Sequence, residues 1–457
     1  MVIRYYSYIL LAGVIMGWLS ACTGVGPAAN LFRSASPHDH YSQSLKEAKL
    51  DQTALGTDWL AAADRALHDS LKITVPYRES GYFSANRAFA VGYRLDGQRG
   101  DRFLVQVETQ GQKTTQIFID VFALDDRNRA SLTAASKADT NVLTWEPRKN
   151  QTYLIRIQPE LLRNASYTIS ITREPALAFP VKGRDSRQIS SYFGAARDGG
   201  RRRHEGLDIF APKGTPAVAS VNGIITGVGT NSLGGNVAFL TDHERDIRLY
   251  YAHLDRWNVT NGQRVSIGDT IGFVGNTGNA RTTGPHLHFG IYGLMDGATD
   301  PLPFVRLGRG PAKQTLLSSS RLGDSVRTSA AKSLVRLSPS SDSPIVRELP
   351  KLSALTILGG TETWLRIETP DGLTGYVLNS TTETPKKSLR RLTLSAPGAL
   401  LDAADQQAGI IDTLPTGAAV DVLAQTTTFQ LVRSTEGLTG WLPLTVSSAP
   451  PINSTVR

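Results

Sequence analysis

The chain has a single cysteine in 457 residues, so no intramolecular disulfide can form and a thiolate-rich metal site is excluded. Charge of neither sign dominates. The 49 Lys and Arg against 40 Asp and Glu leave a formal +9, enough to favour an anionic surface or polymer and too little to argue for nucleic acid. Only one long apolar run is present, close to Met1, and no later segment is apolar enough to span a bilayer. Turn-forming residues are abundant, with 42 Gly and 23 Pro beside 40% apolar residues. That mixture excludes global disorder, collagen and coiled coil, and it favours sheets over helices. At roughly 100 to 200 residues per domain, the length predicts about three domains, with room for two or four.

The apolar run follows Arg4 and extends from Tyr5 to Leu19, long enough to enter a translocon and short for a membrane span. It leads into Leu19-Ser20-Ala21-Cys22, which resembles the lipobox of bacterial lipoproteins. The resemblance implies that residues 1–22 are a lipoprotein signal peptide and that Cys22 carries the acyl chains that hold the chain on a membrane. With Thr23 rather than Asp after the cysteine, it also implies the periplasmic face of the outer membrane. The plain alternative is an uncleaved anchor helix, and both place the remainder outside the cytoplasm. Residues 23–72 are expected to form a polar tether as far as Ser44. One or two short amphipathic helices should follow, carrying Leu45, Leu50, Leu55, Trp59, Leu60, Ala63 and Leu67. His38 and His40 fall in the tether, away from any further metal ligands.

Over residues 73–175 the texture changes to short runs of period two, such as Phe103 to Val107, Ile117 to Phe122, Tyr153 to Ile157 and Tyr167 to Ile171. This predicts a β-sandwich. It is similar to the pre-peptidase sandwiches of secreted bacterial proteases, and it offers no chemistry of its own beyond that of a spacer or binding module.

The last third repeats itself. Leu349-Pro350 recurs as Leu414-Pro415, Trp364 as Phe429, and Gly372-Leu373-Thr374-Gly375-Tyr376 as Gly437-Leu438-Thr439-Gly440-Trp441, all 65 positions apart. An unbroken offset means two copies of one fold, here over residues 326–384 and 388–448. Each copy resembles the bacterial SH3-like domains found beside cell-wall hydrolases. Its aromatics either line a ligand groove, for peptidoglycan or a cell-envelope protein partner, or simply fill a small barrel.

Chemistry concentrates in residues 176–310. His204-Glu205-Gly206-Leu207-Asp208 offers an imidazole and a carboxylate on a loop that runs into a strand. In Gly284-Pro285-His286-Leu287-His288-Phe289, the histidines alternate with apolar residues. On an extended strand His286 and His288 therefore share one face, about 6 to 7 Å apart, while Leu287 and Phe289 enter the core. Two unpaired imidazoles turned toward a core would be costly, which favours a ligand role. A third histidine, His253, ends Tyr250-Tyr251-Ala252-His253. With the Gly234-Gly235-Asn236 turn, these blocks occur in the order of the lysostaphin-like (LytM-type) zinc endopeptidases that cut peptidoglycan peptides, and the segment resembles that family. Two positions depart from the pattern: the loop Asn279 to Thr283 is longer, and Gly290 stands where Glu is common.

The resemblance implies that His204, Asp208 and His288 hold Zn²⁺, with His253 and His286 unbound as catalytic acid and base in an order the sequence leaves open. Two imidazoles and one carboxylate leave a tetrahedral zinc one open position for water. Asn236, Arg203 and Tyr251 are candidate substrate contacts, and the triple Arg201-Arg202-Arg203 either holds substrate carboxylates or is a solvated loop. His68 and His243 fit no motif and are expected on the surface. The expected fold is mainly β and multidomain: a sandwich, an antiparallel β peptidase domain, two small SH3-like barrels and a short helical segment. The expected activity is hydrolysis of stem or cross-bridge peptides. The alternatives are a non-catalytic regulator of a cell-wall amidase, as in family members that have lost ligands, and a wall-binding scaffold.

Overall fold

The computed structural model describes residues 35–111, 115–294, 297–308, 310–315 and 317–446. Cys22, the expected signal peptide and the first part of the expected tether lie outside the described residues, as do positions 447 and 448 of the second repeat. Strand accounts for 47% of the structure and helix for 12%, the mainly β architecture that the sequence predicts. Among the described residues, no helix is long and apolar enough to cross a membrane.

The tether expectation is corrected here, because order begins earlier than Ser44. A helix runs Pro37–Glu47, started by a capping box in which Ser36 Oγ accepts from the Asp39 N–H and the Asp39 carboxylate accepts from the Ser36 N–H. Pro37 at the first helical position costs no hydrogen bond there. A second helix, Ala54–His68, is capped by Thr53. The pair docks on the sandwich through Trp59, whose indole N–H donates to the Pro159 carbonyl and whose ring stacks on His38 at 4.8 Å. His38 is therefore a core histidine, 4% exposed, with one ring nitrogen on Gln158 and an edge-on contact to Phe118. His40 points to solvent.

The sandwich consists of two facing sheets. One orders Leu71–Lys72, Val91–Gly97, Gln151–Pro159, Ile117–Leu124 and Ala130–Ala135. The other contains Tyr77–Phe83, Ala165–Pro175, Asp101–Gln110 and Val142–Trp145. Their inward residues, among them Tyr93, Ile119, Ile155, Val105 and Ile169, form one core, which is what alternation on each strand provides.

The second sheet does not end with the sandwich. Strand Tyr77–Phe83 pairs with Ala354–Gly360 of the first repeat, Ser80 opposite Gly360 and Gly81 opposite Gly359, so the two units share an eleven-stranded sheet. Beside this seam the Glu79 carboxylate, 0% exposed, lies 3.2 Å from the Arg366 guanidinium and accepts from the hydroxyls of Tyr77, Tyr93 and Tyr376. Arg366 also donates to Tyr167 Oη at 2.6 Å.

The second repeat meets the first with the equivalent face. Leu423, Ala424, Leu431 and Trp441, each 65 residues beyond Leu358, Gly359, Arg366 and Tyr376, pack on Ala354 of the first copy. Arg327 secures this junction by donating to the carbonyls of Leu423 and Lys387. Trp364, Tyr376 and Phe429 are buried and do not line an open groove, and Tyr376 lies on the seam with its hydroxyl on Glu79.

The segment carrying the histidines forms a ten-stranded antiparallel sheet with the central order Ile189–Ser191, Leu207–Phe210, His286–Gly293, Ile247–Trp257, Gly235–Asp242, Gly223–Asn231. One face packs a core that includes Leu207, Ile209, Leu249, Tyr251, Leu287, Phe289 and Ile291. It is fastened to the sandwich by Arg245, which grips Glu146 through two 2.8 Å hydrogen bonds and Asp242 through a third, and by Arg306 on Asp101. His68 and His243 are exposed, as expected.

Candidate metal centre and catalytic residues

Strand register builds the site. Asp208 lies directly opposite His288 and Phe210 opposite His286, with Ile209 and Leu287 paired on the core side. His204 enters from the hairpin Ala196–Arg197/Arg202–Arg203, its backbone N–H donating to the Ala195 carbonyl. Three donor atoms converge. His204 Nε2 is 3.0 Å from Asp208 Oδ1 and 3.0 Å from His288 Nδ1, which is itself 3.1 Å from Asp208 Oδ1. Among the described residues, His204, Asp208 and His288 form a group whose ligand atoms all fall within 4.8 Å of one another.

A tetrahedral zinc with bonds of about 2.0 to 2.1 Å needs donors about 3.3 Å apart, so the triangle has to open by only a few tenths of an ångström. The hydrogen bonding agrees with this use. His204 Nδ1–H donates to the Tyr192 carbonyl at 2.9 Å, which leaves Nε2 as the lone-pair atom facing the triangle. Burial alone would raise the Asp208 carboxyl, but the hydrogen bonds and charges of His204 and His288 overcome it and hold the group far below the usual carboxylate range. Burial lowers His288, against the opposing pull of Asp208, so its imidazole favours the neutral form a metal requires.

The other two histidines flank this triangle. His286 Nε2 is 3.9 Å from Asp208 Oδ1, and its Nδ1–H donates to the Gly284 carbonyl at 2.9 Å. Phe210 lies flat on the His286 ring, centroids 5.0 Å apart. His253 Nδ1–H donates to the Thr277 carbonyl at 2.9 Å, and its ring meets those of His286 and His288 at 4.9 and 5.9 Å. Burial, then the charges of His286 and His288, lower its pKa to about 4.

Simple alternation would have placed His253 on the core side with Tyr251. A bulge opposite Val237, with His253 at φ 60°, turns the side chain to the other face.

The three candidate substrate contacts fare differently. Tyr251 is corrected: it is fully buried on the core face, its hydroxyl bonded to Ser220, because alternation in its strand points it away from the site. Asn236 is half-buried, and its side-chain amide clamps the bulge by donating to the carbonyls of Leu254 and Asp255 at 3.0 Å. Arg203 is exposed on the hairpin and donates to the Gly194 carbonyl. Within the triple arginine, Arg202 is paired with Asp198.

The sequence reading missed Arg197, whose Nη2 lies 2.6 Å from Asp208 Oδ2, and Phe210. Only the register signals Phe210, as the residue across from a histidine.

Residues 202–301 match the model of peptidase family M23, and residues 333–383 match the bacterial SH3 domain. The chain thus carries an M23 peptidase domain and a bacterial SH3 domain. Among curated relatives, the peptidoglycan DD-endopeptidase ShyC of Vibrio cholerae is 36% identical over 146 residues, covering 30% of this chain and 33% of that protein. The L-Ala–D-Glu endopeptidase of Bacillus subtilis is 37% identical over 140 residues, covering 28% and 43%. This chain therefore spans less than half the length of either relative. The solved catalytic domain of lysostaphin from Staphylococcus simulans is 35% identical, over 25% of this chain and 89% of that one, with a TM-score of 0.23.

Proposed function

We propose that the chain is a zinc-dependent endopeptidase that hydrolyses amide bonds in the stem or cross-bridge peptides of peptidoglycan. The observation that carries this reading is the 3.0–3.1 Å triangle of His204 Nε2, Asp208 Oδ1 and His288 Nδ1, with two further imidazoles at its side. The names of the Vibrio and Bacillus relatives support the substrate class. We further propose a chain anchored through a lipid on Cys22 and facing the periplasm from the outer membrane, with residues 73–175 as spacer and the repeats as wall- or envelope-binding units.

His204, Asp208 and His288 would hold the zinc. When bound, zinc supplies a Lewis acid that polarises the scissile carbonyl and brings the pKa of water to about 7. His253 and His286 do the proton transfers. Each commits Nδ1–H to a backbone carbonyl, which leaves Nε2 free to accept. Burial lowers the pKa of His253 to about 4, so at neutral pH its ring is neutral and Nε2 carries a lone pair, the form a proton acceptor needs. Once protonated, an Nε2–H donates first to the tetrahedral oxyanion and then to the leaving amine.

The test is muropeptide release from purified sacculi, with bound zinc measured on the same samples. His204→Ala and His288→Ala are expected to lose both zinc and release. His286→Ala should retain zinc while release falls by about 10² to 10⁴-fold. Release that persists in His288→Ala, or survives exhaustive chelation, overturns the reading. A wild-type protein that releases nothing but stimulates an amidase points instead to the regulator.

A further inference from the structure

We infer that Arg197 is a positioning residue for the metal centre, fixing Asp208 so that the carboxylate presents a single oxygen. The inference rests on the metal-binding reading of the triangle and goes beyond it to how the third ligand is held. The two oxygens of Asp208 have separate partners. Oδ1 faces His204 Nε2 at 3.0 Å and His288 Nδ1 at 3.1 Å, whereas Oδ2 accepts from Arg197 Nη2 at 2.6 Å. Nη2 is itself fixed, because it also donates to Ser191 Oγ at 2.8 Å. Ser191 pairs with Asp208 across adjacent strands, and Arg197 sits on the hairpin that delivers His204. One guanidinium thus ties together the strand on the outer side of Asp208, the carboxylate itself and the hairpin carrying the first ligand.

The chemistry of the groups gives this contact a purpose. A guanidinium stays charged and has no lone pair for a metal, so Arg197 cannot be a fourth ligand. An untethered carboxylate can rotate to offer both oxygens, which adds a bond at the metal and crowds the position that water and the substrate carbonyl need. Holding Oδ2 on Arg197 prevents that rotation. It also draws electron density from the carboxylate, which leaves the ion a stronger Lewis acid.

Two effects oppose each other in a variant, and the choice of substitution separates them. Removing the cation relieves its repulsion of the ion, whereas releasing Asp208 loosens the ligand. Arg197→Lys keeps the charge and loses the planar donor geometry. Arg197→Gln loses the charge as well. Zinc affinity is measured on the full chain by competition with a chromophoric chelator, and coordination number by the visible bands of the cobalt(II)-substituted protein, which are intense for four ligands and weak for five or six. The expected results are an affinity loss of about 10-fold or more in Arg197→Lys and weakened cobalt bands in both variants.

His286→Ala serves as the control: it should keep both the affinity and the bands while losing hydrolysis. The inference is overturned if the bands are unchanged in both variants, or if Arg197→Lys binds zinc as tightly as the wild type. Tighter zinc in Arg197→Gln with unchanged bands would identify the guanidinium as a competitor for Asp208. Because both readouts are independent of turnover, a failure of the endopeptidase reading is distinguishable from a failure of this one. If Arg197→Gln fails to fold, judged by circular dichroism, Arg197→Lys alone decides.

Discussion

Gly206 leaves no room for a side chain between two ligands. A Cβ there would lie 2.8 Å from the His288 ring and 2.6 Å from the Phe289 carbonyl, so even alanine has to displace the imidazole or the strand behind it. Gly206→Ala is therefore expected to weaken zinc binding by about tenfold or more with the rest of the sheet intact, measured by chelator competition beside a circular dichroism melt. Much of the centre was legible in the sequence. Alternation puts His286 and His288 on one face, and the family resemblance adds His204 and Asp208, whereas the register that sets Asp208 across from His288 comes from the structure. What was not legible depends on departures from alternation or on contacts across a hairpin. His253 reaches the site only because a bulge reverses it, and Arg197 reaches Asp208 through a fold in the chain that residue spacing does not encode. Tyr251 was misplaced because proximity in sequence to a histidine says nothing of which face it takes.

Among the elements, the first helix, Pro37–Glu47, departs furthest from the sequence reading, whereas the second, Ala54–His68, lies where the amphipathic spacing predicts it. Composition made residues 23–44 look like a tether, since a capping box and one buried imidazole carry little hydrophobic signal. The docking surface is nonetheless selective, because His38 stacks on Trp59 while the buried ion pair Arg156–Asp120 lies close by. Burial first, then Arg156, lowers the His38 pKa to about 4, against the opposing charges of Asp120 and Asp39.

The unfolded chain takes up this proton near pH 6.5 and the folded chain only near 4, so stability is complete above pH 6.5 and declines as pH falls from there toward 4. That shift corresponds to a loss of order 3 kcal/mol at most. Denaturant midpoints taken from pH 7 to pH 4 should fall more steeply for the wild type than for His38→Leu. Parallel curves would show that the imidazole titrates freely.

At the scale of the whole molecule, the sandwich and the first repeat are one body. Backbone pairing between edge strands has no side-chain signature, which is why two units that read as separate in sequence share a sheet. The chain contains its own comparison for the buried pair at this seam. Arg366 of the first copy is replaced by Leu431 in the second, where the equivalent contact is apolar. Removing one partner leaves a buried charge, and Glu79→Ala is expected to lower stability by about 3 to 5 kcal/mol. The double variant Glu79→Leu/Arg366→Leu should lose less than either single change, as read from thermal midpoints on the full chain. Additive losses would mean that the pair is not coupled.

The seam also decides what can be detached. Severing the chain between residues 308 and 317 to isolate the catalytic half would strip the partner from Ser80 and Gly81 and strand the Glu79 carboxylate without its cation. The amputated piece would carry a raw, adhesive margin, and light scattering should find it clumping where the intact molecule stays dispersed.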